Sequence, residues 1–369
     1  AADFQNTNAN FPKVIFVIVD GTLKISKRSV TLTSATDDKV YDGTALTNDT
    51  VTVTGDGFAE GEGASYNVTG SQTNVGWSDN SFTYELNANT KADNYEIKTE
   101  TGKLTVTPVT EEVVVTITEH GGNAKYDGKP HEVTGYTWTT NNSLYTEADF
   151  AFINDNDRVT GTSAGEYDML LKPTDFKNLN NNFTKVTFKI NDGKLIISKR
   201  SVTLTSATDE KVYDGTALIN HTVTATGDGF AEGEGATFAV TGAQTQTGWS
   251  DNKFSYSLNR GTDGNNYIIT KEVGKLTVNP VADQVTVTIQ GRTGSYVYDG
   301  AEKIVTGYNV VNISNSLYKA ADFTFSGTAE AAGTAANDYP MGLVESQFEN
   351  ISLNFTNVKF VVTDGKLTI

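Results

Sequence analysis

The sequence predicts an all-β protein built from tandem β-sandwich domains, and three observations support this prediction. Thr, Val, Asn, Asp and 34 glycines dominate the 369 residues, while there are only 6 prolines and 2 methionines. β-Branched residues favour strands, and Gly, Asn and Asp favour turns. Apolar and polar residues alternate with period two, as around Val30 and Leu32, and turn residues return every 8–12 residues or so. No window shows helical periodicity.

Internal repetition sets the domain organisation. Residues 27–37 recur unchanged as residues 199–209, so the repeat length is 172 (199 minus 27). The period holds two different modules, A and B, which share an opening strand, a Tyr-Asp-Gly turn and a closing strand that begins with Gly-Lys-Leu. Residues 1–26 match the end of a B module, and we interpret them as the C-terminal strands of a preceding one. The predicted Ig-like modules are A1 (27–108), B1 (109–198), A2 (199–280) and B2 (281–369).

The Tyr-Asp-Gly-Thr turn at residues 41–44 and the closing Gly-Lys-Leu-Thr-Val at residues 102–106 resemble the MBG/YDG-type Ig-like repeats of bacterial surface proteins. Residues 315–325 and 354–360 look like the form common in Gram-positive wall-anchored proteins. The resemblance implies an extracellular array on the bacterial surface that projects a distal domain or contributes to adhesion. It implies no catalytic residue. Anchorage in the cell wall is expected through a part that is not in this chain.

Charge and cysteine content exclude several classes of function. Lys and Arg number 28 against 45 Asp and Glu, which gives a net charge of −17. Such a polyanion repels nucleic acid and anionic lipid. No stretch approaches the roughly 20 apolar residues of a membrane span. There are no cysteines, so thiolate metal sites and disulfides are excluded. We predict no enzyme and no catalytic, cofactor-binding or metal-binding residues.

The glycine-containing motifs are interpreted as structural. The four Tyr-Asp-Gly motifs predict turns in which the tyrosine packs near the sandwich edge. Asp20-Gly21, Asp192-Gly193 and Asp364-Gly365 are interpreted as turns between the last two strands. Residues 55–63 and 227–235 are Gly-rich but lack the Gly-Lys-Ser/Thr ending of a phosphate loop. We interpret them as flexible loops, with a ligand or partner loop as the alternative.

Acidic and aromatic residues suggest alternatives that the repeat disfavours. A calcium site could involve Asp37, Asp38 and Asp42, or residues 154–157, but the last have no counterpart in B2. The histidines fall at positions that differ between copies, which predicts surface residues. Trp77 and Trp249 are interpreted as core or strand-edge residues rather than a sugar platform. The histidines are His120, His131 and His221.

Two further hypotheses concern stability and assembly. Lys185, Lys189 and Lys359 are candidates in buried strands for an intramolecular isopeptide bond to an asparagine. The apolar residues at 14–19 predict that residues 1–26 are covered, either by A1 or by strand pairing with another chain.

The leading functional hypothesis is a structural stalk segment of a cell-surface adhesin that extends a distal region from the cell. The alternatives are that the modules bind host glycan or extracellular protein, or that they assemble head-to-tail through the N-terminal strands.

Overall fold

The computed structural model describes all residues from 1 to 369. Strands account for 48% of them, and there is no α-helix, which confirms the all-β fold class. None of the helical segments has the length and hydrophobicity to cross a membrane. The helical segments are six single 3₁₀ turns, at Ala92–Asn94, Glu147–Asp149, Pro173–Asp175, Gly264–Asn266, Ala320–Asp322 and Glu345–Gln347.

The two A modules contain the same eight strands, displaced by the 172-residue repeat. Those of A1 are β1 (Arg28–Ser34), β2 (Asp37–Val40), β3 (Val51–Gly55), β4 (Ala64–Val68), β5 (Gly76–Asp79), β6 (Phe82–Leu86), β7 (Tyr95–Glu100) and β8 (Lys103–Thr107). Those of A2, with B1 strands β9–β18 intervening, are β19 (Arg200–Ser206), β20 (Asp209–Val212), β21 (Val223–Gly227), β22 (Ala236–Val240), β23 (Gly248–Asp251), β24 (Phe254–Leu258), β25 (Tyr267–Glu272) and β26 (Lys275–Asn279).

The two B modules contain ten strands each. Those of B1 are β9 (Val113–Glu119), β10 (Gly122–Lys125), β11 (His131–Thr134), β12 (Tyr136–Thr140), β13 (Phe150–Phe152), β14 (Arg158–Gly161), β15 (Gly165–Asp168), β16 (Phe176–Asn178), β17 (Val186–Asn191) and β18 (Lys194–Ser198). Those of B2 are β27 (Val285–Gly291), β28 (Thr293–Ser295), β29 (Lys303–Thr306), β30 (Tyr308–Ile313), β31 (Phe323–Phe325), β32 (Glu330–Gly333), β33 (Asp338–Pro340), β34 (Phe348–Asn350), β35 (Val358–Thr363) and β36 (Lys366–Thr368).

Residue contacts divide the chain into two compact units. The first comprises residues 1–120, 134–158 and 168–193, and the second comprises residues 121–133, 159–167 and 194–369. The first unit therefore holds A1 and the part of B1 that follows it. The second holds the remaining part of B1 together with A2 and B2. The predicted module boundaries stay a prediction.

Each A module contains two three-stranded mixed sheets. In A1, the opening strand β1 pairs antiparallel with β3 and parallel with β7. This sheet packs on the β4–β6 pair around Val30 and Leu32, which are buried as the period-two pattern predicts. The second sheet has the order β2-β8-β5 and buries Leu104 and Val106 of β8.

Module B2 has the same plan with an aromatic core. Its opening strand β27 lies between β30 and β35, and this sheet packs on the β31–β34 pair. Phe323, Phe348 and Phe360 meet there, with centroid distances of 5.3–6.0 Å. The other sheet, β28-β36-β33, packs on the β29–β32 pair through Leu367, which is fully buried.

The Asp-Gly pairs before the closing strands were wrongly interpreted as turns. β35 and β36 both run parallel to their partners β27 and β28, so the chain passes from one sheet to the other without reversing. A Cβ at Gly365 would lie 2.4 Å from the Arg292 carbonyl oxygen. Glycine is required there because two backbones approach closely, not because φ is positive.

The acid that stabilises this crossing differs between the two B modules. In B1, Glu119 is 4% exposed and accepts hydrogen bonds from the backbone N–H groups of Leu171 and Gly193, both at 2.7 Å. In B2 a glycine replaces this glutamate, and Asp364 accepts the hydrogen bond from the Leu343 N–H at 2.8 Å. Buried backbone donors need a partner, which comes from strand β9 in B1 and from the link between β35 and β36 in B2.

The N-terminal segment departs from its prediction. Residues 1–27 contain no strand, and Asp20-Gly21 therefore joins none. Ile15 is 77% exposed and Val17 is 83% exposed, so coverage by A1 is wrong. The physical reason is that a strand needs a hydrogen-bonded partner: the equivalent strand β17 pairs in parallel with β9, and residues 14–19 pair with no strand. Pairing with another chain stays a hypothesis.

Candidate functional site

The four Tyr-Asp-Gly motifs form one kind of turn. In A1, the Asp42 carboxylate accepts hydrogen bonds from the backbone N–H and hydroxyl of Thr44, at 2.9 and 2.7 Å. Gly43 follows with a φ of +81°, which favours glycine. A basic side chain pairs with each aspartate at 2.6–3.0 Å. These pairs are Lys39–Asp42, Lys211–Asp214, His131–Asp127 and Lys303–Asp299.

These contacts favour the charged form of the turn aspartates. The hydrogen bond from Lys39, followed by those from Thr44, holds the pKa of Asp42 well below its usual range. Asp214 has the same contacts, and its pKa is lowered for the same reason. The motif is thus a preorganised turn, as predicted, and its aspartate makes its contacts within the turn.

The tyrosine of the A1 motif packs against core residues of its own module, as expected, and it also contacts the next module. Tyr41 of A1 contacts Phe183 of B1 edge to face, with ring centroids 5.7 Å apart. Phe183 is 2% exposed and packs in turn against Tyr145, at 5.2 Å. A Cβ at Gly43 would lie 3.2 Å from Leu144, so the turn itself contacts B1.

A buried asparagine adds polar contacts to this A1–B1 joint. Asn182, 7% exposed, accepts a hydrogen bond from the backbone N–H of Val75 at 2.8 Å. Its amide donates to Asn74 at 3.1 Å. Beside them lies a cleft of about 460 Å³, with Tyr41 and Asp149 in its lining. The joint therefore has a packed aromatic centre and a polar rim.

The A2–B2 joint repeats this arrangement. Tyr213 contacts Phe355 at 5.8 Å, and Gly215 approaches Leu317. Asn354 accepts from the Thr247 N–H at 2.9 Å and donates to Gln246 at 2.5 Å. Since both copies have the same contacts, the joint is a property of the A–B pair.

The B1–A2 joint uses the Tyr-Asp-Gly turn of B1. Tyr126 is 5% exposed and contacts Tyr267 of A2 edge to face, with centroids 5.6 Å apart. Its hydroxyl donates to the Glu234 carboxylate, which also accepts from the Tyr267 hydroxyl at 2.7 Å. One carboxylate thus joins a tyrosine from each module.

Charged groups surround this pair of tyrosines. The Arg200 guanidinium donates to the Tyr126 carbonyl oxygen at 3.2 Å, and Lys125 pairs with Asp228 at 2.6 Å. The backbone N–H of Ala164 donates to the side-chain oxygen of Asn266 at 2.8 Å, and Asn266 is only 3% exposed. The joint therefore combines aromatic packing with hydrogen bonds to charged groups, which are stronger than neutral ones.

Burial in this joint changes the acidity of both tyrosines. Burial, together with the hydrogen bond to Glu234, raises the pKa of Tyr126 to about 12. Burial also raises the pKa of Tyr267 to about 12. A negative charge on either phenol would face the Glu234 carboxylate in a poorly solvated site. The joint therefore requires neutral tyrosines.

Comparison with known protein families gives a match for module B1, which lies between A1 and A2 in the sequence. The family model of the MBG domain matches residues 112–199. This segment, which corresponds to module B1, is referred to below as the MBG domain because of that match. The resemblance predicted from the Tyr-Asp-Gly turn and the closing strand is thereby confirmed for this segment, and the chain is a repeat protein that carries an MBG domain.

Comparison with whole proteins adds little to this assignment. A search of curated proteins gave no match. Among solved structures, the chain is similar to the Bacillus anthracis TIE protein at 9% identity, with a TM-score of 0.14. The similarity covers 77% of this chain and 53% of that one, so the chain spans about half its length.

The Gly-rich loop of A2 is held by hydrogen bonds that the sequence did not predict. In A2, Arg200 donates to the Gly229 carbonyl oxygen at 2.8 Å, and Ala231 donates its N–H to the Tyr267 hydroxyl at 3.0 Å. The loop is thus fixed by hydrogen bonds and forms the surface that receives Tyr126 of the MBG domain. The interpretation as a flexible loop did not anticipate these fixed contacts, and binding of a separate ligand or partner by the loop stays a prediction.

The tryptophans lie on edge strands, which is one of the two positions expected for them, and not in the core. Trp77 is 60% exposed and Trp249 is 61% exposed, and each lies on an edge strand. A lysine ammonium covers one ring face in each case, with Lys103 3.8 Å and Lys275 4.3 Å from the ring centroid. The two A modules therefore present the same exposed aromatic–cation pair.

The remaining candidates are dispersed. No group of three His, Asp or Glu residues lies close enough together to hold a metal ion. His120 and His221 are exposed, whereas His131 is half-buried because it pairs with the turn aspartate of the MBG domain. The proposed isopeptide lysines, Lys185, Lys189 and Lys359, are exposed, which contradicts the buried position expected for them. Alternation along β17 and β35 turns Lys189 and Lys359 to solvent, and Lys185 lies just before β17.

Sequence reasoning missed the residues that receive each turn. Glu234, Arg200 and Asn182 were not singled out because charged and amide residues are ordinary on a surface. Each has an identical residue one repeat length away, at Glu62, Arg28 and Asn354. Not every surface residue is kept in this way, since His221 replaces Asp49 at the same spacing. Identity between the two copies was therefore the sequence feature that could have pointed to Glu234, Arg200 and Asn182.

Proposed function

We propose that the chain is a stiff spacer in a bacterial cell-surface protein, in which the modules hold a distal functional region away from the cell. The observation that carries this proposal is the joint. Each Tyr-Asp-Gly turn of A1, B1 and A2 contacts an aromatic residue of the following module. A fixed contact at each junction opposes bending, whereas a flexible linker would not.

Other features support the same proposal. The repeated modules lack a nucleophile–base pair that recurs between copies, so we propose no enzymatic activity. The charge of −17 suits an exposed protein that must stay soluble. Extracellular location and wall anchorage through another part of the protein are proposed from the MBG domain and from the resemblance of residues 315–325 and 354–360 to wall-anchored proteins.

The test of extension is small-angle scattering. A compact 369-residue globule would have a radius of gyration of about 21 Å. We expect a value well above this. A measured radius near 21 Å contradicts the spacer proposal.

The test of stiffness is the distance distribution between two spin labels. The chain has no native cysteine, so labels can be attached at Glu85→Cys in A1 and Asn154→Cys in B1, both exposed positions. We expect a narrow distribution that broadens in Tyr41→Ala, which removes the ring that contacts Phe183. Tyr41→Phe is the matched control, since it keeps the ring. A broad distribution in the unsubstituted protein contradicts stiffness.

The location is tested on cells that produce the complete protein. Protease treatment of intact cells should release fragments that antibodies against A1 recognise. Protection of the fragments until the cells are lysed contradicts surface exposure.

A second candidate function is binding of host glycan by the A modules, and the exposed tryptophans favour it. Trp77 and Trp249 have the same environment in both copies, as a reused binding site requires. A sugar would have to stack on the ring face left open by the lysine. A glycan screen on the whole chain, repeated with Trp77→Ala and Trp249→Ala together, tests this. Binding that survives both substitutions excludes the tryptophans as the site.

A further inference from the structure

The first and last strands of every module lie in the middle of their sheets. In A2, the first strand β19 lies between β21 and β25, and the last strand β26 lies between β20 and β23. The same holds for β1 and β8 of A1, for β9 and β18 of B1, and for β27 and β36 of B2. None of these strands is an edge strand, so each is hydrogen-bonded to a neighbour on both sides.

The pairing of the two strands in A2 is extensive. Strand β19 pairs over five residues with β21 and over six residues with β25. Strand β26 pairs over four residues with β20 and over four with β23. Val202 and Leu204 of β19 and Leu276 of β26 are fully buried. Removing either strand would therefore break two ladders and expose part of the hydrophobic core.

The chain enters and leaves A2 at its two joints. Strand β19 begins at the joint with B1, where Arg200 donates a hydrogen bond to the Tyr126 carbonyl oxygen. Strand β26 ends at the joint with B2, where the Asn279 carbonyl oxygen accepts from the N–H of Tyr213, and the Tyr213 ring contacts Phe355. Tension in the chain therefore pulls β19 outward at its start and β26 outward at its end.

This direction of pull loads both strands in shear. β19 is parallel to β25, and β26 is parallel to β20, so each strand can leave only by sliding along its neighbours. In sliding, all the pairs of both ladders carry the force together and must break together. A strand that is peeled away from one end loses its pairs one after another, which requires a smaller force.

A buried polar cluster joins the two crossings between the sheets of A2, from β19 to β20 and from β25 to β26. The Ser206 hydroxyl accepts a hydrogen bond from the Gly274 N–H at 3.0 Å and donates to the Asn252 carbonyl oxygen at 2.7 Å. The Asn252 amide donates to the Ala207 carbonyl oxygen at 3.0 Å. Ser206 is 2% exposed and Asn252 is 0% exposed, so water does not compete for these bonds. A1 has the same cluster, formed by Ser34, Asn80 and Gly102.

We propose that the modules transmit tension along the chain without unfolding, so that the segment is a tether as well as a spacer. When the distal region of a surface protein is held and the cell is pulled, the tension passes through each module in turn. The topology directs this tension into two central strands loaded in shear, and the crossing cluster opposes their sliding. The resistance is a property of each module, whereas its use at a cell surface rests on the proposed function.

Single-molecule force spectroscopy on the full chain tests the proposal, with the direction of pulling as the variable. The chain has no native cysteine, so A2 can be pulled through introduced thiols. The first pair, Lys199→Cys and Asn279→Cys, pulls through β19 and β26 as the chain does. The second pair, Glu232→Cys and Arg260→Cys, lies beyond one end of the antiparallel β22–β24 ladder and peels it. All four positions are exposed, so both proteins should melt as the unsubstituted protein does.

The rupture force should depend strongly on this direction. We expect a force at least about twice as large for the first pair as for the second, because forced unfolding is governed by the barrier and not by the stability. For the first pair, the dependence on loading rate should give a distance to the transition state of no more than about 3.3 Å, since sliding by one residue separates every pair. A force for the first pair that equals or falls below that for the second overturns the proposal.

Ser206→Ala tests the crossing cluster, and Ser250→Ala is the matched control. Ser250 also donates its hydroxyl to a backbone carbonyl oxygen, that of Ala243 at 3.0 Å, but it joins no crossing. We expect Ser206→Ala to lower the rupture force of the first pair by a larger fraction than that of the second, and Ser250→Ala to change neither. Equal fractional losses in the two directions overturn the role of the cluster. The directional test uses exposed positions only and stands even if Ser206→Ala does not fold.

The outcome is distinguishable from that of the spacer proposal. Stiffness is measured without load, by the radius of gyration and by label distances, whereas this inference is measured by rupture forces. A stiff chain whose A2 module ruptures at the same force in both directions overturns this inference alone. A chain that bends freely but shows the expected difference between directions overturns the spacer proposal alone.

Discussion

Replacing Tyr126 by alanine should destabilise the B1–A2 joint, and the matched change Tyr298→Ala supplies the reference. Both tyrosines occupy the same position of a B module, but Tyr126 is 5% exposed and Tyr298 is 60% exposed. The joint therefore covers about 55% more of the Tyr126 surface. A tyrosine buries roughly 200 Å² when fully covered, so the covered area is about 110 Å².

The expected cost follows from this area. At about 25 cal/mol per Å², the lost burial amounts to about 2.8 kcal/mol. The hydrogen bond from Tyr126 to Glu234 is lost as well, but Glu234 keeps the one from Tyr267, so no buried acceptor is left bare. We expect about 3 kcal/mol for Tyr126→Ala and less than about 0.5 kcal/mol for Tyr298→Ala.

Differential scanning calorimetry of the full chain measures the difference. For a domain of 60–100 residues, 1 kcal/mol shifts the melting temperature by about 4–8 °C. Tyr126→Ala should therefore lower the affected transition by at least about 10 °C, while the transitions of the Tyr298→Ala protein stay in place. Separate transitions are expected because a chain of several domains need not unfold in one step. Equal shifts in the two variants would show that the tyrosine stabilises its own module and not the joint.

Three other expectations follow. Alkaline pH should destabilise the B1–A2 joint, because the pKa of Tyr126 is raised to about 12. The stability that Tyr126 contributes is complete below about pH 10 and is lost as the pH rises through 12. Urea unfolding at pH 9 and 11.5 should therefore show a smaller loss of stability in Tyr126→Phe than in the unsubstituted protein. Asp42→Ala and Asp214→Ala should lower the melting temperature without changing any binding activity, because the turn loses its organising carboxylate; unchanged melting with loss of a ligand would contradict this. Calcium should leave the melting temperature unchanged, whereas a ligand at 100 times its dissociation constant would add about 2.7 kcal/mol.

The sequence by itself determined the strands, the repeat and the turns. Period-two alternation placed Val30 and Leu32 in the core because a strand turns successive side chains to opposite faces. The Asp-Gly pair of each Tyr-Asp-Gly motif predicted a turn, because glycine accepts the positive φ that Gly43 adopts. These are local properties, set by residues that are neighbours in the chain.

Only the tertiary structure decided what the turn contacts. Tyr126 and Glu234 are 108 residues apart, and no local pattern marks an ordinary surface glutamate as the acceptor for a tyrosine of another module. The N-terminal segment also shows that local sequence does not decide whether a strand forms. Its sequence matches β17 and β18, yet residues 1–27 form no strand, because a strand needs a hydrogen-bonded partner and these residues pair with none. Local sequence determines whether a segment can form a strand or a turn. Which residues it then contacts is decided only by the tertiary structure, because those residues are distant in the chain.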